Sequence, residues 1–135
     1  MKIKDKIEGI EKYIEELEVI IPDNFNHYLH DFKTKAACER YFEKIIEAVV
    51  DLCFLIIKDK GLKTPEDDKN SFDILEQENI ISKELAQRLK DAKGMRNIIA
   101  HEYGNIDDEI VFESITKELI RDASEFIGLI KKLTL

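Results

Sequence analysis

Residues 3–21 read IKDKIEGIEKYIEELEVII, and their spacing decides the fold class. Ile3, Ile7, Ile10, Ile14, Leu17 and Ile21 recur at alternating steps of four and three. On a helix those positions form one apolar stripe, with Lys and Glu on the other faces. Pro22-Asp23 ends the run, because proline disfavours helical backbone in the residue before it.

The helical pattern continues outward. A second segment is expected from about Phe25 to Lys60, with Phe32, Ala36, Phe42, Ile45, Ile46, Val49, Leu52, Cys53, Ile56 and Ile57 as apolar positions. Neither Gly nor Pro interrupts it, and Gly61 supplies the stop. From Val49 to Ile57 it is apolar on most faces, which fits a central helix or one covered by a second subunit. Residues 61–70, GLKTPEDDKN, read as a loop. Ser71 is expected to cap a short helix carrying Phe72 and Leu75, and Ser82 a fourth carrying Leu85, Leu89, Ala92 and Ile99. Gly104-Asn105 closes that helix. Asp107 or Asp108 caps a fifth, whose stripe is Phe112, Ile115, Leu119, Ala123, Phe126, Ile130 and Leu133. The expectation is one all-α domain over residues 1–135, an up-and-down bundle of four to five helices.

Composition narrows the function. The chain has 135 residues, 44% apolar and 37% charged, with five Gly and two Pro. That excludes a disordered chain and a linker. No apolar run approaches the ~20 residues a membrane span needs, and the N-terminus has no apolar leader, so a cytoplasmic protein is expected. The net charge is -8 and no quarter of the chain is basic, so any nucleic-acid contact must be local. Cys38 and Cys53 form no C-x-x-C and read as buried free thiols. His27 and His30 with Asp23 and Asp31 look like a metal cluster but lack a third clear ligand, so no metal is expected, and no cofactor either. Glu66-Asp67-Asp68 reads as a solvated acidic loop. Arg40 is either an ion-pair partner of Glu43 or Glu39, or a second basic group near a dimer groove.

One stretch does not read as packing alone: Gly94-Met95-Arg96-Asn97-Ile98-Ile99-Ala100-His101-Glu102-Tyr103-Gly104. On an ideal helix Arg96 falls on the line of Leu85, Leu89, Ala92, Ile99 and Tyr103, where an apolar residue belongs. Arginine is almost never fully buried unless paired, so the stripe there must meet a cleft, an acidic partner or a subunit interface. His101 lies about 140° around from Arg96, so a straight helix cannot aim both into one small site. Either the helix unwinds near Gly104 or the site is shared across a two-fold axis. Asn97 is four residues before His101 and neighbours it.

Arg96, four residues, His101, one residue and Tyr103 match the R-x4-H-x-Y motif of HepT-like toxins of the HEPN superfamily, which the chain resembles over most of its length. Ala36 to Arg40 resembles the family's A-x-x-x-R stretch, and Gly94-Met95-Arg96-Asn97 and Tyr103-Gly104-Asn105-Ile106-Asp107 are typical of it. The resemblance implies a cytosolic homodimer with paired Arg–His motifs facing each other, acting as a metal-independent RNase. It also implies the toxin half of a type VII-like toxin–antitoxin pair. The partner would be an MntA-type minimal nucleotidyltransferase, which silences the toxin by AMPylation of the motif tyrosine, here Tyr103.

The residue types suit that chemistry. Histidine titrates in the range needed to take a proton from a 2′-OH and give one to a 5′-oxygen, the part expected of His101. Arg96 offers a permanently charged planar fork to a phosphate. Asn97 can orient His101 or hold a phosphate oxygen, and Tyr103 can stack a base. Products then end in a 2′,3′-cyclic phosphate. The alternative, suggested by the acidic charge, is a non-catalytic binding subunit that docks the nucleotidyltransferase.

Overall fold

A computed structural model of the chain describes residues 2–101 and 106–134. The first stripe forms α1, Lys2–Ile20, with Ile7, Ile10, Ile14 and Leu17 buried. After Pro22 come a single-turn helix α2, Phe25–His30, and the long helix α3, Phe32–Asp59. The expected unbroken second segment is therefore corrected. Asp31 adopts an extended conformation between the two helices, and its carboxylate accepts from the Thr34 backbone N–H at 3.2 Å and the Thr34 hydroxyl at 2.9 Å. That is an N-cap, which starts a new helix without needing Gly or Pro. Phe32, expected in the core, falls on the first turn after this corner and is 76% exposed, and Ala36 is exposed as well.

Helix α3 is central, as its apolar run implies. One chain already buries Val49, Val50, Leu52, Cys53, Ile56 and Ile57, leaving Phe54 and Leu55 half-buried. A second subunit is not needed to cover them. Burying each such side chain contributes ~1.5–3 kcal/mol, so α1 against α3 supplies much of the core energy. Gly61 (φ +66°) stops α3 as expected. Leu62 N–H donates to Ile57 C=O at 2.9 Å and Gly61 N–H to Lys58 C=O at 3.1 Å, the paired bonds of a Schellman end.

The next helix, α4, Asp68–Gln77, begins earlier than expected. Its cap is Asp67, which accepts from Asn70 N–H at 2.7 Å, and not Ser71. Ser71 is buried inside the helix and donates to Asp68 C=O at 2.6 Å. The acidic stretch is likewise more than a solvated loop, because Asp68 pairs with Lys93 at 3.1 Å. Asn79 (φ +59°) ends α4 in the left-handed conformation, a second Schellman end. The fifth helix, α5, spans Lys83–His101 and is capped by Ser82, whose hydroxyl accepts from Leu85 N–H at 3.1 Å. The helix end expected at Gly104-Asn105 lies outside the described residues.

Asp107 caps α6, Asp108–Glu113, accepting from Glu109 and Ile110 N–H. The chain runs on through a π-helical turn, Ser114–Leu119, into α7, Ile120–Thr134. Ile115, Leu119, Ala123, Phe126 and Ile130 are buried, while Leu133 at the end of the stripe is 41% exposed. Among the described residues there is no strand. None of the described helices is long and apolar enough to cross a membrane.

Candidate functional site

Helix α5 carries the motif. Its buried residues Leu85, Leu89 and Ile99 fix which face meets α3, and Arg96 lies on that same face. The acidic partner the sequence demands is Glu47, from the middle of α3. The Arg96 NH2 group donates to a Glu47 carboxylate oxygen, and the two side chains are 20% and 42% exposed. The Arg96 NH1 group reaches the Asn97 side-chain oxygen at 3.5 Å. The Arg96 Nε–H is buried and has no hydrogen-bond partner among the described residues. Of the three expectations for this position, an acidic partner is the one seen within a single chain.

His101 is the last residue of α5 and is exposed. A separation of five helical residues sets it about 140° from Arg96. The structure thus brings Arg96 and Asn97 together with Glu47 and leaves His101 on another face. Tyr103 lies outside the described residues, as do Glu102, Gly104 and Asn105.

Glu47 was missed in the sequence. A carboxylate set among Ile45, Ile46, Ala48 and Val49 was the available signal. It also lines a groove of about 760 Å³ between α1 and α3. Lys2, Lys6, Arg40 and Lys44 line the same groove, interleaved with Asp5 and Asp51. Lys6 is tied to Asp51 at 3.3 Å. Lys44 Nζ sits 5.4 Å from the ring centres of both Tyr13 and Tyr41, a cation–π contact. Arg40 is exposed and pairs with Glu43 at 3.5 Å, the first of the two readings, and it also lines this single-chain groove. Four cations and three carboxylates, Glu47 among them, thus line this groove.

The remaining sequence candidates lie elsewhere. His27 and His30 are exposed on α2, and His30 Nδ1 bonds the Asn26 carbonyl at 2.8 Å. Asp31 is occupied as the α3 cap; the Thr34 backbone N–H and hydroxyl hold its carboxyl below the usual aspartate range. Among the described residues no group of three or more His, Cys, Asp or Glu side chains is placed to hold a metal ion. Both cysteines are free and buried. Burial, helped by the Glu39 charge, pushes the Cys38 thiol up to about 11, and burial raises Cys53 further.

Known proteins sharpen the picture. The chain is 29% identical over 129 residues, 96% of either length, to the mRNA nuclease HepT of Shewanella oneidensis. It is 29% identical over 116 residues to the tRNA nuclease HepT of Aphanizomenon flos-aquae, covering 84% of this chain and 78% of that one. The fold superposes with a TM-score of 0.89, at 28% identity and over 96% of each chain, on the tri-AMPylated Shewanella oneidensis HEPN toxin in complex with MNT antitoxin. Residues 10–130 match the family model described as ribonuclease HepT-like, and the chain belongs to that family.

Proposed function

We propose that this protein is the toxin of a type VII-like toxin–antitoxin pair and acts as a metal-independent endoribonuclease. The observation that carries this is Arg96, a motif arginine held on the core face of α5 by a carboxylate, within a HepT-like chain. Arg96 takes the scissile phosphate, since its terminal N–H groups match two phosphate oxygens. His101 moves the protons: one leaves the 2′-OH as that oxygen attacks phosphorus, and one reaches the 5′-oxygen as it departs. The products are a 2′,3′-cyclic phosphate and a free 5′-OH. Asn97 supports Arg96.

Because Arg96 and His101 face different ways on one helix, the reading includes a cytoplasmic homodimer that brings the two motifs together around α3 and α5. The groove between α1 and α3 supplies Lys2, Arg40 and Lys44 for a local phosphate contact on a chain of net charge -8. Tyr103 is the residue an MntA-type nucleotidyltransferase would AMPylate, consistent with the AMPylated toxin that this fold resembles.

The test is direct. The purified chain and its His101→Ala variant are incubated with tRNA and with mRNA, and fragments are resolved on a denaturing gel. Cleavage by the wild type alone supports the reading; intact RNA, or equal cleavage by the variant, refutes it. The net charge of -8 favours a second reading, a binding subunit that docks the nucleotidyltransferase without cutting RNA. Stable complex formation with the enzyme and no cleavage by the free chain would establish that one.

A further inference from the structure

Arg96 is fixed by something the motif does not contain. A guanidinium has five N–H donors. One is committed to Glu47, one reaches Asn97, and the Nε–H is buried. Two terminal N–H groups remain. Arginine also has a long flexible stem, whereas Glu47 projects from the middle of the 28-residue α3, which is buried on most sides. The carboxylate accepts from NH2 only, so it orients the fork without filling it. It also stands in the lining of the groove that carries Lys44 and Arg40, one and two turns earlier on the same face of α3.

We propose that Glu47 is a positioning residue for RNA cleavage: it sets the plane of the Arg96 guanidinium so that the two remaining terminal N–H groups meet the scissile phosphate. This rests on the ribonuclease reading above. Glu47 acts through Arg96 and touches no reacting atom. Its charge works against the incoming phosphate, while its hold on Arg96 works for it. The two effects are separable, because a glutamine keeps an oxygen that accepts from the guanidinium and lacks the negative charge.

The experiment measures kcat and KM for an RNA substrate with the wild type, Glu47→Ala and Glu47→Gln, alongside thermal melts of all three. The expected result is a roughly 10- to 100-fold fall in kcat for Glu47→Ala, the scale of a misplaced catalytic group, with little change in KM. Glu47→Gln recovers most of that kcat and lowers KM, since the repulsion is gone. If Glu47→Ala melts too low to assay, Glu47→Asp takes its place: one methylene shorter, it stays folded and mis-sets Arg96. Wild-type kcat in the Ala or Asp variant overturns the proposal. So does a rise in kcat/KM for Glu47→Ala, which would make Glu47 a plug. An equal loss in the Gln and Ala variants also overturns it, since charge and not placement would then matter. In each of those cases the wild type still cleaves RNA and the ribonuclease reading stands; a wild type that cleaves nothing ends both.

Discussion

Arg88 on α5 donates through NH1 to the buried carboxylate of Asp122 on α7 at 2.9 Å. Arg121 Nε reaches the same carboxylate oxygen at 2.9 Å, and Arg88 NH2 reaches Glu125 at 3.2 Å. Asp122 is 4% exposed, so these bonds stand in for the water its carboxylate has lost. Asp122→Ala is expected to cost about 2–3 kcal/mol, below the ~3–5 kcal/mol of a fully buried pair, because Arg88 is a third exposed. Urea unfolding should show a lower midpoint with an unchanged slope. An unmoved midpoint would class the pair with ordinary surface salt bridges.

The two motif residues should separate stability from activity. His101 is exposed, so His101→Ala leaves the melting temperature unchanged while cutting cleavage roughly 10²–10⁴-fold. Arg96 is four-fifths covered and paired, so Arg96→Ala lowers cleavage and stability together, the latter by about 1–3 kcal/mol as Glu47 loses its partner. Parallel melts and cleavage assays on both variants read this. A destabilised His101 variant, or an Arg96 variant at full rate, contradicts the assignment.

Cleavage should survive EDTA. The scheme uses one histidine and one arginine and draws on no metal-bound hydroxide. Fragments should carry a 2′,3′-cyclic phosphate, visible as 3′ ends that resist phosphatase until opened by acid. Activity lost in chelator and restored by a divalent cation would replace the acid–base scheme.

Cys38, one of the two cysteines in α3, gives a pH signature. The Cys38 thiol is pushed up to about 11 from its ordinary 9.0, burial being the larger cause. The unfolded chain therefore loses this proton first. Its contribution to stability is complete below pH 9.0 and is lost as pH rises toward about 11. Melting temperature should fall across that window, and fall less in Cys38→Ala. At pH 8 the native thiols should resist a disulfide reagent and react once the chain unfolds. Rapid labelling of the folded protein would mean Cys38 is accessible after all.

The stripe on α1 was legible because each apolar residue reports its own face, whatever it later touches. The same holds for the caps at Ser82 and Asp107, where the signal sits within three residues of the bond it makes. The corner at Asp31 was not legible, since an aspartate that caps a helix looks like any solvated aspartate until the chain bends. Asn79 closed α4 for a similar reason, taking the place usually held by glycine. Arg96 could be seen to need a partner, but not which one. Glu47 lies 49 residues away, and a separation of that size leaves no local trace.

The π-helical turn at Ser114–Leu119 gives the last rod a spare residue. Its wider i→i+5 loops hold one residue more than an α-turn would, while α6 and α7 keep ordinary helical backbone on either side. Deleting one residue from an α-helix swings everything beyond it by about 100°. Deleting one within Ser114–Leu119 instead tightens the turn to the common form and leaves the packing faces of both flanks where they are. Within this last rod the chain can shorten here without scrambling its core, so single-residue deletions in it should be found to fold.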